Sequence, residues 1–238
     1  MKVSDRWPVW PKNVAADLAP EQRAVKDILD GLAVFFQSAF ITDIRDTLIT
    51  FPDSRLGIAL NKKQTACKKW LVEELYNATG GTLGRVYILA GWYGVLGAML
   101  LNDTRFEITH LSVIDQDPSC APIANALNAT SAAEGRFSFQ VMDILDLDFR
   151  HPSGTFGRAD LIVNTSCEHL SNFDDWYRGL PNGTLLVLQS NNYSSIPDHV
   201  NCVATLDAFQ EQAPMTELLY CGNLELEKYT RFMLIGRK

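Results

Sequence analysis

Two polar runs stand directly after apolar ones: Asn164-Thr165-Ser166-Cys167-Glu168-His169 follows Leu161–Val163, and Gln189-Ser190-Asn191-Asn192-Tyr193 follows the run that begins at Leu185. Amides, hydroxyls and acids at the exit of a buried segment each need a partner, so such runs either cap the next element or face a ligand. Glu168 and His169 have the chemistry of a general base, since imidazole titrates near neutrality and a carboxylate does so when desolvated. Asn164, Asn191, Asn192 and Tyr193 can orient an amine or hydroxyl without adding charge. Glu168-His169 and Asp198-His199 also invite comparison with metal ligands, but their spacing matches no known zinc or iron pattern, and no metal is expected. Trp92 and Tyr93 offer aromatic faces, which stabilise a weakly hydrated cation within about 6 Å by about a kcal/mol. Packing of Trp92 under the adjacent helix is the equal alternative. Tyr193, Trp176 and Tyr177 extend the same aromatic set, although Trp176 has the spacing of a core residue. His110 and His151 fall in strand and loop contexts that suit surface or core roles.

The elements that must position these residues are organised around Arg85 to Pro118, RVYILAGWYGVLGAMLLNDTRFEITHLSVIDQDP. Val86 to Ala90 is apolar without alternation, as a strand buried on both faces of a parallel sheet requires. Gly91 and Gly94 break it, and a helical pattern runs from Gly94 to Leu101, so the turn sets free N–H groups at the strand's carboxyl edge. A second strand, about Ile108 to Ile114, ends in Asp115. A carboxylate there can accept both hydrogen bonds of a ribose diol, and the spacing fits an adenosine ligand.

These residues, with Asp143 in VMDIL, the run DLIVNTSCEHL and the turn LPNGT before LLVLQ, resemble the successive motifs of class I S-adenosylmethionine-dependent methyltransferases over roughly Arg85 to Arg237. The resemblance implies a Rossmann-like, mostly parallel α/β sheet of seven strands in the order 3-2-1-4-5-7-6, closed by an antiparallel hairpin. It implies S-adenosylmethionine as cofactor, with Gly91, Trp92, Tyr93 and Gly94 under its methionine part. Asp115 falls at the ribose, with Gln116 as a further cofactor contact, Asp143 and Ile144 at the adenine, and Asn164 at the reacting end. The sequence departs from the pattern in two places: the usual Gly-x-Gly-x-Gly is Ala90-Gly91-Trp92-Tyr93-Gly94, and Ile88 stands where the first strand commonly carries an acid. The expected activity is transfer, foremost of a methyl group, to a small polar molecule. Two alternatives stay open: cyclisation of the cofactor with release of methylthioadenosine, of the azetidine-2-carboxylate synthase type, and a non-catalytic binding module.

Composition sets the outer limits. The chain has 238 residues, 47% hydrophobic and 21% charged, which suits one α/β domain with a helical extension. Residues 1–80 are expected to form an arm and helical extension, and 81–238 the cofactor domain. A net charge of −7 argues against a nucleic-acid partner. No apolar run suggests a membrane span or leader, so a cytoplasmic location is expected. A homodimer is among the open oligomeric states. The cysteines, without any Cys-x-x-Cys pair, read as reduced thiols.

Along the chain, Trp7-Pro8 and Trp10-Pro11 predict an extended arm. From Pro20 to Phe40 a helix is expected whose face of Val25, Ile28, Leu29, Leu32, Phe35 and Phe36 must pack, and Ile41 to Phe51 reads as broken helix or loop. Asn61 and Gln64 resemble a capping box that starts a helix to about Ala78. Its lysines read as a solvated basic face, with Gln64 and Trp70 as candidate lid contacts. Helices are then expected at Ser119–Thr130 and Phe173–Leu180. The remaining strands fall at Phe137–Met142, Leu161–Val163, Leu185–Gln189, Thr216–Leu226 and Tyr229–Ile235.

Overall fold

The computed structural model describes residues 18–149 and 158–238, so the Trp-Pro arm and His151 lie outside the described residues. The chain divides into two compact units, one ending at Ser54 and the other starting at Arg55.

In the first unit, α1 (Pro20–Phe36) begins at its proline, and α2 (Ala39–Thr50) follows almost at once. The expected packing of the α1 apolar face is not found: none of its residues is buried, and Ile28, Phe35 and Phe36 are 61%, 78% and 62% exposed. The expected break over Ile41–Phe51 is also absent. Ser38 caps α2 by accepting from the Ile41 amide, while Thr42, Thr47 and Thr50 turn their hydroxyls back onto carbonyls one helical turn earlier. Those bonds keep β-branched residues compatible with a helix, and Arg45 adds an ion pair to Asp30 of α1 at 2.9 Å.

The second unit opens with the single turn α3 (Leu56–Ala59) and with α4 (Lys62–Thr79). The Asn61 side chain accepts from the Gln64 amide, and Gly80, in left-handed conformation, ends the helix. Seven strands follow: β1 (Thr82–Leu89), β2 (Glu107–Asp115), β3 (Phe137–Val141), β4 (Leu161–Asn164), β5 (Leu185–Asn191), β6 (Glu217–Glu225) and β7 (Thr230–Arg237). Their order is β3-β2-β1-β4-β5-β7-β6, the expected one. All pairs from β3 to β5 are parallel, and β7 runs antiparallel to both β5 and β6.

Apolar runs without alternation build this sheet because both of its faces are covered. Val86 and Ile88 of β1 join one core with Leu71 and Leu75 of α4, and Leu96 and Leu100 of α5 (Val95–Asn102). Tyr87 and Leu89, pointing the other way, join Trp176, Tyr177 and Leu180 at α8 (Phe173–Gly179), and Phe209 of α9 (Leu206–Gln212). Trp176 and Tyr177 are therefore core residues. The helix expected over Ser119–Thr130 splits into α6 (Cys120–Leu127) and α7 (Ala129–Ala133). At the break, Asn128 donates its side-chain amide to the Ala124 carbonyl at 2.9 Å, competing with the helix ladder. His110 bonds Gly135 and Ser138 and is structural.

Candidate functional site

Between the end of β1 and the start of α5 the backbone takes an unusual path. Ala90 and Trp92 have φ of 48° and 49°, and Gly94 has 69°. A left-handed conformation costs a residue with a Cβ roughly 1–2 kcal/mol. At Gly91 the difficulty is space: a Cβ would lie 2.6 Å from Val113 Cγ1 and 3.1 Å from Ile88 Cγ2. The turn is held by its hydrogen bonds. The Trp92 amide donates to Asp115 Oδ2 at 2.8 Å, and the Gly94 amide donates to the Gly91 carbonyl at 2.9 Å. Asp115 Oδ1 accepts from the Asp117 amide, which leaves further lone pairs on both oxygens. Ala90→Gly is expected to raise stability by about 0.5–1 kcal/mol, read as a higher urea midpoint, because glycine takes this conformation without the Cβ penalty.

Beside this turn lies a cavity of about 390 Å³, beyond the carboxyl ends of β1, β4 and β5. That is where strand order reverses between β1 and β4, the place where open α/β sheets bind ligands. The turn contributes Gly91, Trp92 and Tyr93, the two rings stacked with centroids 4.6 Å apart. From the segment after β4 come Thr165, Ser166, Glu168 and His169; from the segment after β5 come Tyr193 and His199, which follow Asn191 at the strand's end. Gln64 and Lys68 of α4 enter from one side, and Tyr229 and Arg231 from another.

The charges in this cavity are organised around Arg231. Its guanidinium is buried, donates to Gln189 Oε1 at 3.1 Å and to the Thr165 carbonyl, and lies 3.6 Å from Glu168 Oε1. Burial is the largest influence and works against its charge, but Glu168 together with Cys67 and Tyr229 outweighs it and keeps the guanidinium protonated. Glu168 is 3% exposed. Its Oε1 accepts from Asn191 Nδ2 at 2.6 Å, and its Oε2 has no partner among the described residues. Lys68 donates to Gln64 Oε1 at 2.8 Å, and burial, with Arg231 adding repulsion, lowers its pKa to about 8. Burial pushes the Cys167 thiol well up, so it is a packing residue and no nucleophile.

Glu168, His169, Asn191 and Tyr193 thus meet at one cavity with Gly91, Trp92 and Tyr93. Asn164, Asn192 and Gly94 do not line it. Asn164 is fully buried, its Oδ1 accepting from the Ser166 amide, and its Nδ2 has no partner among the described residues. Asn192 accepts from the Thr230 amide and pins β5 to β7. Asp115 and Gln116, at the end of β2, and Asp143 and Ile144, just after β3, stand along the neighbouring stretch of the same sheet edge. Asp143 caps the short helical turn there through Leu145, and Ile144 is buried. Lys62, Lys63 and Lys69 are exposed, as a solvated basic face predicts, whereas Lys68 on the same helix turns into the cavity. Gln64 lines the cavity, and Trp70 instead donates to Tyr220. Lys68, Ile196, Tyr229 and Arg231 are lining residues that sequence reasoning missed. A lysine at helical spacing from Gln64 was the only signal for any of them.

No family model and no curated protein matches the sequence. Solved structures do match the fold. The N-methyltransferase NodS from Bradyrhizobium japonicum WM9 superposes with a TM-score of 0.56 at 16% identity, over 76% of this chain and 98% of that one. NodS has also been solved in complex with S-adenosyl-L-homocysteine. The cyclase SpnF matches with a TM-score of 0.55 at 13% identity, over 76% of this chain and 83% of that one. A geranyl diphosphate methyltransferase, solved with sinefungin, matches with a TM-score of 0.51 at 12% identity, over 73% and 78%. Strand order, parallel sense and the closing antiparallel pair all agree with this likeness, and the chain has the fold of the class I S-adenosylmethionine-dependent methyltransferases.

Proposed function

We propose that this chain binds S-adenosylmethionine and directs its electrophilic carbon at a small polar nucleophile. The observation that carries the proposal is the position of the cavity at the strand-order reversal, bounded by the β1 turn and by the polar segments after β4 and β5. The residues suit the cofactor. Asp115 keeps acceptor capacity for a ribose diol beside the turn whose amide it holds, and Asp143 and Ile144 suit the adenine. Trp92 and Tyr93 present stacked rings to a cation, and Lys68 with Gln64 suits a carboxylate. When bound, the cofactor supplies an activated carbon and its own leaving group. The protein's part is then to orient the nucleophile and exclude water, for which Asn191 and Tyr193 stand at the cavity wall. Its volume of about 390 Å³ is near the small end for ligand pockets, which supports a small substrate.

The same limited volume supports a second reading, in which the cofactor's own amine or carboxylate is the nucleophile and methylthioadenosine is released. Incubation with the cofactor alone, followed by chromatography, separates the two. Unchanged cofactor that is bound in calorimetry is the expected result for transfer. Methylthioadenosine would establish cyclisation, and absence of binding would end both readings.

A further inference from the structure

Three side chains that line the cavity have no part in the cofactor contacts proposed above. Glu168, His169 and His199 each offer a ligand atom, and these lie within 4.8 Å of one another. The imidazoles are edge to face, with ring centroids 4.7 Å apart. Their tautomers are set by their partners. His169 Nδ1 meets the Asp198 carbonyl at 2.9 Å, and His199 Nδ1 meets the Tyr193 carbonyl at 2.6 Å. A carbonyl only accepts, so each Nδ1 must carry the hydrogen, and in the neutral ring each Nε2 is left as a lone-pair acceptor. Glu168 supplies the third acceptor: Oε2, buried and without a partner among the described residues, while Oε1 is taken by Asn191 and faces Arg231. A buried carboxylate oxygen left unpaired is costly, and a ligand with a matching donor removes that cost.

We infer that this cluster is a binding site for a primary ammonium group, which makes the substrate a small primary amine. An –NH3⁺ group presents three donors. At ordinary hydrogen-bond lengths of about 2.8–2.9 Å, a tetrahedral nitrogen holds its acceptors about 4.7 Å apart, a separation compatible with three side chains whose ligand atoms all lie within 4.8 Å. Charge points the same way. Arg231 already faces Glu168, so the cluster has little net negative charge to offer a divalent ion, whereas a monocation that sheds a proton costs less to hold. His169 is exposed, His199 half-buried and Glu168 buried, so the ligand's nitrogen reaches the carboxylate from the open side.

The site also gives the amine the state it needs. An ammonium has no lone pair; transfer of one proton to His169 Nε2 breaks an N–H bond on the ligand, forms one on the ring, and leaves the electron pair on the amine. His169, being exposed, then returns the proton to water. Glu168 and His199 keep accepting from the two remaining N–H bonds and so orient that pair. The assignment of this amine as the nucleophile rests on the proposed function, but the binding site does not.

The test uses the full chain, labelled with ¹⁵N-histidine and free of cofactor. Butylammonium chloride is the probe, with butanol and zinc chloride titrated in parallel. The Nε2 resonances of His169 and His199 are expected to shift saturably with butylammonium and not with butanol. Glu168→Gln should weaken this response at least tenfold. His169→Ala, at an exposed position where folding is not at stake, should do the same to the His199 resonance. S-adenosylhomocysteine affinity, measured by calorimetry, should stay within about threefold in both variants. A saturable zinc response without an ammonium response would replace the inference with a metal site. No response to either, or an equal response to butanol, would overturn it. Failure of the wild-type protein to bind S-adenosylhomocysteine would instead remove the proposed function, while the ammonium titration still decides the site.

Discussion

Arg231→Leu is expected to lower the stability of the protein by about 3–5 kcal/mol, the usual cost of removing one partner from a buried ion pair. The magnitude follows from what is left behind. Glu168 is 3% exposed and would be left with only the Asn191 amide facing it. Gln189 Oε1 and the Thr165 carbonyl would lose a charged donor as well. Urea unfolding followed by tryptophan fluorescence measures the change. The double variant Arg231→Leu with Glu168→Leu should recover much of the loss, because two apolar residues of similar volume are close to neutral where one stranded charge is not. A single variant within about 1 kcal/mol of wild type would show that Glu168 does not depend on Arg231.

Asp115→Ala is expected to weaken binding of S-adenosylhomocysteine by about 1.5–3 kcal/mol, roughly 10- to 150-fold, as a charged acceptor is lost from a donor pair. The structure adds a second route to the same loss. Asp115 Oδ2 holds the amide of Trp92, one of the residues in left-handed conformation, so truncation also releases the turn. Asp115→Asn separates the contributions in part: it keeps one acceptor, for the Trp92 amide, while it loses the charge and turns the oxygen that serves the Asp117 amide into a donor, and it should fall between wild type and Ala. Calorimetry with Ala equal to wild type would end the ribose role. Asn equal to Ala would show that the charge and the second acceptor, and not the bond to the Trp92 amide, account for the loss.

The two covered sheet faces were legible because Val86–Leu89 and Leu185–Leu188 are apolar at every position, as strands of a sheet buried on both sides are, whereas the strand order came only from the resemblance to the methyltransferase family. The polar segments after β4 and β5 could be picked out for the complementary reason. What was not legible depended on distance in sequence. Nothing local to Arg231 says that it will face Glu168, which is 63 residues earlier in the chain (231 − 168). Lys68 differs from Lys69 only in helical phase, and a periodicity built on apolar residues does not say which lysine turns inward. The helix over Ala39–Thr50 was obscured by its threonines, whose helix-compatible bonding is invisible in the letters. The turn shows the opposite case. Ala90 and Trp92 replace glycines of the family pattern, yet the backbone keeps positive φ at both, so the conformation outlasts the residues that usually announce it.

Lys68 has a consequence for covalent chemistry. Its pKa, lowered to about 8 by burial, leaves a far larger share of its side chains uncharged at pH 7.5 than for a lysine of ordinary pKa. Only the uncharged amine attacks carbonyl and acyl electrophiles. An amine-reactive ester used sparingly at that pH should therefore acylate Lys68 ahead of the solvent-facing Lys62, Lys63 and Lys69 on the same helix. The cavity thus contains its own labelling handle: a small activated ester would place a reporter group against Gln64 and the aromatic pair of the turn without any engineered cysteine.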